Sequence, residues 1–539
     1  MKTSHCLAGV LLAVTSGLPI LASATSDPVT LNLLGRYSAG ASTAPDEPRT
    51  EISAYDPGTK RVFSVNLNQR RLDVIDISNP ASPVLFRTAD LGGKPNSVAV
   101  HGGLVAVAVE GAQKTDLGNV QFFNTSGDKL NQVTVGSLPD MLTFSQDGHW
   151  LLVANEGEPS SYNNNPVPSV DPEGSVSVIN MTPGVAALTQ DNVRAATFSA
   201  SIPQDNPSSI RKYGPNASFA QDMEPEYIAV SDDSSRAWVT LQENNAIGIL
   251  DIATATFTKI VGLGFKDHLH APNKLDASDR DTTIDNKNIK DGIVIRNWPV
   301  LGMYEPDAIA SYQVNEEILL VMANEGDTRD YPPGFTEEVR VSSLSLDAAA
   351  FAAQGYPDVS NGTNGLKNNA NLGRLTVTNQ NGSKELDNDT EFERLYVPGG
   401  RSFSIRRADG SLLYDSGDAF EQITAKVIPG LFNANQDGGD TFDTRSDNKG
   451  PEPEAIAIGK ISPKTYAFIG LERTGGVMVY DISNPNNPKF VTYKNTAPDD
   501  HAPEGMFFIS ETDSPIGKPL LVVSHEVSNT IAIFEVVKE

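Results

Sequence analysis

The stretch "EPEYIAVSDDSSRAWVTLQENNAIGILDI" (Glu224–Ile252) decides the fold. A proline-acid pair opens a short apolar run, and a Ser/Asp turn follows. A longer apolar run then ends on an acid, Glu243, before a second turn and a third run. Short runs rich in Val, Ile, Leu and Phe, punctuated by Gly, Asn, Asp and Pro, read as antiparallel strands.

The same frame recurs at "EPDAIASYQVNEEILLVMANEGD" (Glu305–Asp327) and "EPEAIAIGKISPKTYAFIGLERTGGVMVYDIS" (Glu452–Ser483). It recurs again across "APEGMFFIS" (Ala502–Ser510) and "KPLLVVSHEVSNTIAIFEV" (Lys518–Val536). Looser copies precede them: "TEISAYDPGTKRVFSVNLNQRRLDVIDIS" (Thr50–Ser78), "KPNSVAVHGGLVAVAVEGA" (Lys94–Ala112) and "LPDMLTFSQDGHWLLVANEGE" (Leu138–Glu158). Seven units of this kind match the sheet-per-repeat plan of an all-β, seven-bladed β-propeller. Fourth strands follow most units, as in "TFTKIVGLG" (Thr256–Gly264) and "PKFVTYKN" (Pro488–Asn495). The last unit lacks one. Val29–Ser38, "VTLNLLGRYS", is expected to fill that place, so that pairing of the two chain ends closes the ring and removes exposed edges.

Residues 1–24 read as a secretory signal: Lys2, an apolar core over Leu7–Leu21, then Ala22-Ser23-Ala24. Residues 25–539 form a single propeller domain in this reading, secreted or periplasmic. The sole cysteine, Cys6, lies within the signal, so no disulfide or thiol chemistry is expected of the remainder. Within that domain, residues 328–451 separate the fifth unit's glutamate from the sixth unit's first strand. "GGRSFSIRRADGSLLYDSGDAFEQ" (Gly399–Gln422) reads as a hairpin that completes the fifth sheet. The rest, including "NGTNGLKNNANLG", is a long insertion of the kind that carries function or disorder.

In an antiparallel blade the first strand starts at the face where the second strand ends. First-strand starts carry Glu51, Asp140, Glu226, Asp307, Glu454 and Glu504, with Asn96 in the second unit. Second-strand ends carry Glu110, Glu156, Glu243, Glu325, Glu472 and Glu526, with Asn68 in the first. The repeat therefore predicts a ring of carboxylates on one rim. Crowded like charges resist ionisation and require compensation. Oxygen-only ligands suit a hard divalent cation, calcium above all. The metal-ligand candidates are Asp140, Glu156, Glu226, Glu243, Asp307, Glu325, Glu454, Glu472, Glu504 and Glu526. The competing reading is that each carboxylate caps a neighbouring backbone N–H.

Loops entering the same face add Asp437, Asp440, Asp443 and Asp447, whose rhythm resembles a calcium loop without matching the EF-hand template. His268, His270, His501 and His525 are placed on the acidic face, His101 and His149 on the opposite one. Arg49, Arg329, Arg445, Lys449 and Arg473 supply its cations. His501, His525, Arg445 and Arg473 are the candidates for catalysis, the histidines moving protons and the arginines holding phosphate. A net charge of −27, from 68 acidic against 41 basic residues, argues against nucleic-acid binding. The sequence contains no G-x-S-x-G, P-loop, dinucleotide or H-E-x-x-H motif.

Four segments together, "GGRSFSIRRADGSLLYDSGDAFEQ", "TRSDNKGPEPEAIAIG", "DASDRD…IRNWPVLGMYEPDAIA" and "SHEVSNTIAIFEV", resemble the choice-of-anchor I family. That resemblance implies an exported, YVTN/WD40-like seven-bladed propeller, sometimes tethered by a variable anchor. It is related to mesenchyme-specific cell surface glycoproteins and often labelled alkaline-phosphatase-like. It supplies no catalytic residues. Two expectations follow. One is a metal-dependent phosphoester hydrolase acting on a small phosphoester. The other is a non-enzymatic, monomeric propeller that binds a surface glycan or protein with calcium ordering its loops. A sugar-lactone hydrolase is a third.

Overall fold

The computed structural model describes residues 29–41, 47–162, 169–281, 283–284, 287–288, 292–332, 334–384, 391–436 and 441–538. The proposed signal segment, residues 1–24, and Asp437 and Asp440 lie outside them.

Val, Ile, Leu and aromatic runs separated by tight turns give sheets that are mainly antiparallel. The fourth sheet is representative: Pro225–Val230, Arg236–Leu241, Ala246–Asp251 and Thr256–Gly262 pair in sequence order. Gln204–Asp205 adds a short parallel fifth strand at its edge. Six further four-stranded sheets begin with Ser53–Asp56, Pro95–His101, Pro139–Phe144, Ile309–Val314, Pro453–Ile461 and Pro503–Ile509. Each of these first strands packs against the first strand of the next sheet, and the seventh packs against the first.

The second strand of every sheet is buried on both sides, as in Leu104–Val109 and Arg236–Leu241, where every residue past the first is buried. Alternate side chains serve different neighbours. Leu151 and Val153 join a cluster with the second sheet, whereas Leu152 and Ala154 join one with the fourth. Seven such apolar clusters fill the seams between successive sheets, and one of them unites Val62 and Ile75 of the first with Leu520 and Val522 of the seventh. Each fully buried Val, Leu or Ile contributes roughly 1.5–3 kcal/mol.

The seventh sheet takes its outer strand from the other chain end. Val29–Ser38 pairs antiparallel with Thr530–Lys538, from Val29↔Lys538 to Ser38↔Thr530. The fifth sheet is split in sequence as expected: Glu317–Asn324 pairs with Ser402–Arg407, which pairs with Leu412–Asp415. The hairpin ends there, and Ala419–Val427 is a helix.

The insertion differs from a loose decoration. Leu275, Trp298, Val341, Phe351, Leu366, Leu372, Phe392 and Val397 form a core of their own, drawn partly from the chain ahead of the fifth sheet. Leu366 and Leu372 come from the Asn/Gly-rich stretch itself. Within this unit a short helix, Ala348–Ala353, is capped by Asp347, whose carboxylate accepts from the N–H groups of Ala349 and Ala350.

Candidate metal centre

The acids reach one place because of how each sheet begins. Pro95, Pro139, Pro225, Pro453 and Pro503 occupy the first position of their strands, where a missing N–H costs no ladder bond. Immediately after each proline the register slips: Pro139/Leu142, Pro225/Ile228 and Pro453/Ile456 are three examples. A bulge re-aims a side chain at the end of a sheet. Here the re-aimed residue is the acid that follows the proline. Leu138, Glu305, Glu452 and Ala502, each just ahead of a proline, have φ of 46°, 39°, 52° and 56°. Side chains rarely occupy that region, and it is disfavoured further before proline, so the repeat holds local strain at this rim.

The carbonyls of these pre-proline residues meet the ends of the second strands. Glu156 N–H donates to Leu138 (2.9 Å), Glu472 N–H to Glu452 (2.7 Å) and Glu526 N–H to Ala502 (3.0 Å); Glu110 N–H donates to Lys94 (2.8 Å). In the third, sixth and seventh sheets one backbone bond thus sets the acid after the second strand beside the acid of the first.

The result is a cavity of about 350 Å³ at the mouth formed by the first strands. Glu51, Asp140, Glu226, Asp307, Glu325, Glu454, Glu472, Glu504 and Glu526 line it, with Asn96 completing the first-strand set. Lys449 and Arg473 are the cations of the lining. Both are committed: Lys449 Nζ lies 2.5 Å from Glu325 and 3.2 Å from Glu452, and Arg473 lies 2.7 Å from Glu472.

Six other carboxylates of the lining are strongly perturbed. Burial, then the charges of Glu472 and Glu504, lift Glu454 well above the usual carboxylate range. Burial and Glu526 do the same to Glu504; burial and Glu325 do it to Asp307. Glu51 and Glu226 are raised likewise, and Asp140 is pushed up to about 7 by burial and Glu110. Oε2 atoms of Glu51, Glu226 and Glu454 are buried without a hydrogen-bond partner. Backbone capping therefore does not account for them.

Oxygens close enough to share an ion occur in overlapping sets. Asp307, Glu325 and Glu454 form one, Glu454, Glu472 and Glu504 a second, and Glu325, Glu452 and Glu472 a third; within each set the donor atoms lie within 4.8 Å of one another. All donors are carboxylate oxygens, the chemistry that fits calcium.

Other expected residues lie elsewhere. Glu156 and Glu243 are outside the lining and gather with Glu224. His501 is half-buried, with Nε2 2.7 Å from the Pro498 carbonyl. His525 is buried, pushed down to about 4 by burial, and is not part of the lining either. Arg445 is bound to Glu452 at 2.5 Å. Arg329 is fully buried against Asp222 and Glu224. Arg49 donates to the Ala39 carbonyl at 3.0 Å. His268 is buried beside the insertion with Nδ1 2.9 Å from the Asn273 carbonyl, and His270 is exposed beside Asp267. His101, at the end of the second sheet's first strand, lies against Phe144, and His149, in a turn of the third sheet, against Asp147. Asp447 pairs with Arg374 at 2.6 Å, and Asp443 accepts from Ser446 Oγ at 2.6 Å.

Sequence reasoning passed over the acid ahead of the proline. Glu224, Glu305 and Glu452 are 0–1% exposed and each meets an arginine: Arg329 at 3.0 Å, Arg211 at 2.7 Å and Arg445 at 2.5 Å. The signal was present in the recurring "EPE", "EPD" and "EPE" triplets, whose first acid holds structure while the second faces the cavity. Asp327, exposed at the edge, also lines the cavity.

Sheet order and site define a β-propeller with an acid-lined mouth. The chain belongs to the choice-of-anchor I family, whose domain matches residues 51–485. It is 31% identical over 192 residues to Gigasin-3a of Magallana gigas, covering 32% of this chain and 66% of that protein. It is 25% identical over 299 residues to the mesenchyme-specific cell surface glycoprotein of Strongylocentrotus purpuratus, covering 51% of this chain and 36% of that one. The chain thus spans less than two thirds of either relative. Among solved structures, it resembles the β-propeller domain of Myceliophteria thermophila Cps50 (Swd1) at 8% identity and TM-score 0.44, covering 94% of this chain and 100% of that one. A streptogramin B lyase gives 9% identity and TM-score 0.44, with coverage of 95% and 98%. Among the described residues no helix is long and apolar enough to cross a membrane.

Proposed function

We propose that this is a closed, seven-bladed propeller, exported to the extracellular space or cell surface, whose axial cavity binds a divalent cation, with calcium favoured. The observation that carries the reading is Glu454: 7% exposed, lining the cavity, with Oε2 unpartnered beside the oxygens of Asp307, Glu325, Glu472 and Glu504. An ionised buried carboxylate without a partner is costly, and a cation removes that cost. The name of the sea-urchin relative supports surface placement.

A cation held there would present open coordination positions to an oxygen-bearing ligand, a surface glycan or protein. Metal-dependent phosphoester hydrolysis is the second reading. Arg473 and Lys449 favour it, since they stand beside the carboxylates where a phosphate could bridge metal and cation. Their existing ion pairs favour plain binding, and so does the absence of histidine from the lining.

Elemental analysis of protein purified without chelator, with calcium titration calorimetry on wild type and Glu454→Gln, tests the centre. The expected result is that the substitution removes the ion of the axial cavity and lowers the calcium stoichiometry; equal stoichiometry for both would overturn the assignment. Calcium-dependent phosphate release from mono- or diesters would then select the hydrolase.

A further inference from the structure

The geometry points to a second divalent-cation site, separate from the axial cavity, at the seam of the third and fourth sheets, formed by Glu156, Glu224 and Glu243. It goes beyond the axial centre, since none of these three lines that cavity. Glu156 follows the second strand of the third sheet, Trp150–Asn155. Glu224 directly precedes Pro225–Val230, and Glu243 follows Arg236–Leu241, so both belong to the fourth sheet. One oxygen from each lies within 4.8 Å of the others, the span that a single ion bridges.

Glu224 supplies the observation that an acidic cluster alone lacks. It is 1% exposed, and its two oxygens differ: Oε2 receives Arg329 at 3.0 Å, whereas Oε1 is buried with no partner. Charge balance agrees. Arg329 is shared with Asp222, and Lys114 binds Glu158, so these basic groups are matched. The three glutamates remain as a surplus that a divalent ion would largely cancel. Their all-oxygen chemistry selects calcium over softer metals.

The site adjoins the insertion through Arg329, which pairs with Glu224. Arg329 and the short hairpin Asp330–Tyr331/Phe335–Thr336 open the insertion. Tyr331 meets Tyr162 edge-on at 5.2 Å, and Phe335 meets Tyr162 at 5.3 Å. Glu224 also holds Arg329 at 3.0 Å, so an ion on Glu156, Glu224 and Glu243 would act on the start of the insertion through that pair.

The test is calcium titration calorimetry on the full chain, paired with hydrogen exchange over residues 328–337. Glu156→Gln and Glu243→Gln are the informative variants, because Glu224→Gln would also remove a partner of Arg329. Glu454→Gln reports the axial site independently. If the seam site exists, each seam variant binds one equivalent fewer than wild type. Calcium slows exchange at 328–337 in wild type and in Glu454→Gln, but not in Glu156→Gln. Unchanged stoichiometry in both seam variants, or exchange at 328–337 indifferent to calcium, overturns the inference. A wild type that binds one equivalent, lost in Glu156→Gln and kept in Glu454→Gln, sustains the seam site while removing the axial one.

Discussion

Glu305 and Asp307 stand two residues apart and should respond in opposite ways to losing their charge. Glu305 is fully buried and holds Arg211 at 2.7 Å. Arg211 keeps buried Glu337 as a second carboxylate, so Glu305→Gln should cost stability, but less than the roughly 3–5 kcal/mol of a buried pair broken outright. Asp307, raised by burial and by Glu325, has like charges for neighbours. Asp307→Asn should therefore stabilise the calcium-free protein and weaken calcium binding. Urea unfolding in chelator, beside calorimetry, separates the two; the assignment fails if both substitutions shift stability in the same direction. Lys449 offers a third case, since it serves Glu325 and Glu452 together. Lys449→Met should lose stability on the scale of a broken buried pair, again about 3–5 kcal/mol. At this scale the repeat made the cavity acids legible, because identical positions in successive units must point the same way. It did not reveal which acids are neutralised. That depends on Arg211, Arg329 and Arg445, which come from outside the repeat and meet their partners only in three dimensions.

The elements divide between those written in the repeat and those that are not. Strands of the seven sheets could be counted because each carries an apolar run between turns. The closing strand followed from the count, the last unit being one strand short. Its packing makes a graded test available. Leu31 is 4% exposed within the cluster of the sixth and seventh sheets, whereas Leu33, on the same strand, is 38% exposed. Leu31→Ala should cost about 2–5 kcal/mol by the cavity it leaves, and Leu33→Ala within about 0.5 kcal/mol. Equal effects in urea unfolding would show that Val29–Ser38 does not seal the sheet. The insertion escaped reading because its core is assembled from distant, aperiodic residues. Leu275, Phe351, Leu372 and Val397 belong to no common frame. Asn- and Gly-rich sequence around Leu366 and Leu372 reads as loop, yet these two leucines are what anchors it.

For the molecule as a whole, the rim concentrates acids that the fold alone does not neutralise, and stability must register this through pH. Burial and like charge put Asp140 at about 7 and Glu224 at about 8, and lift Glu51, Glu226, Glu454 and Glu504 well above their ordinary range. In the unfolded chain such groups titrate near 4. Between these values the folded protein binds more protons than the unfolded one, so stability falls as pH rises. The contribution is complete below about 4 and is lost as pH climbs through the folded values. Glu452 acts in the opposite sense: burial pushes it up, but Lys449 and Arg445 more than offset this and hold it at about 2. Its contribution is lost only in strong acid and leaves neutral pH undisturbed. Calcium reverses the trend, because ion binding requires the carboxylates ionised and so strengthens as pH rises. In chelator, the melting temperature should therefore decline from pH 5 to pH 8. With saturating calcium it should hold level or increase over the same interval. A chelated protein whose melting temperature rises across this interval would mean that the rim acids carry counter-charges other than a bound ion.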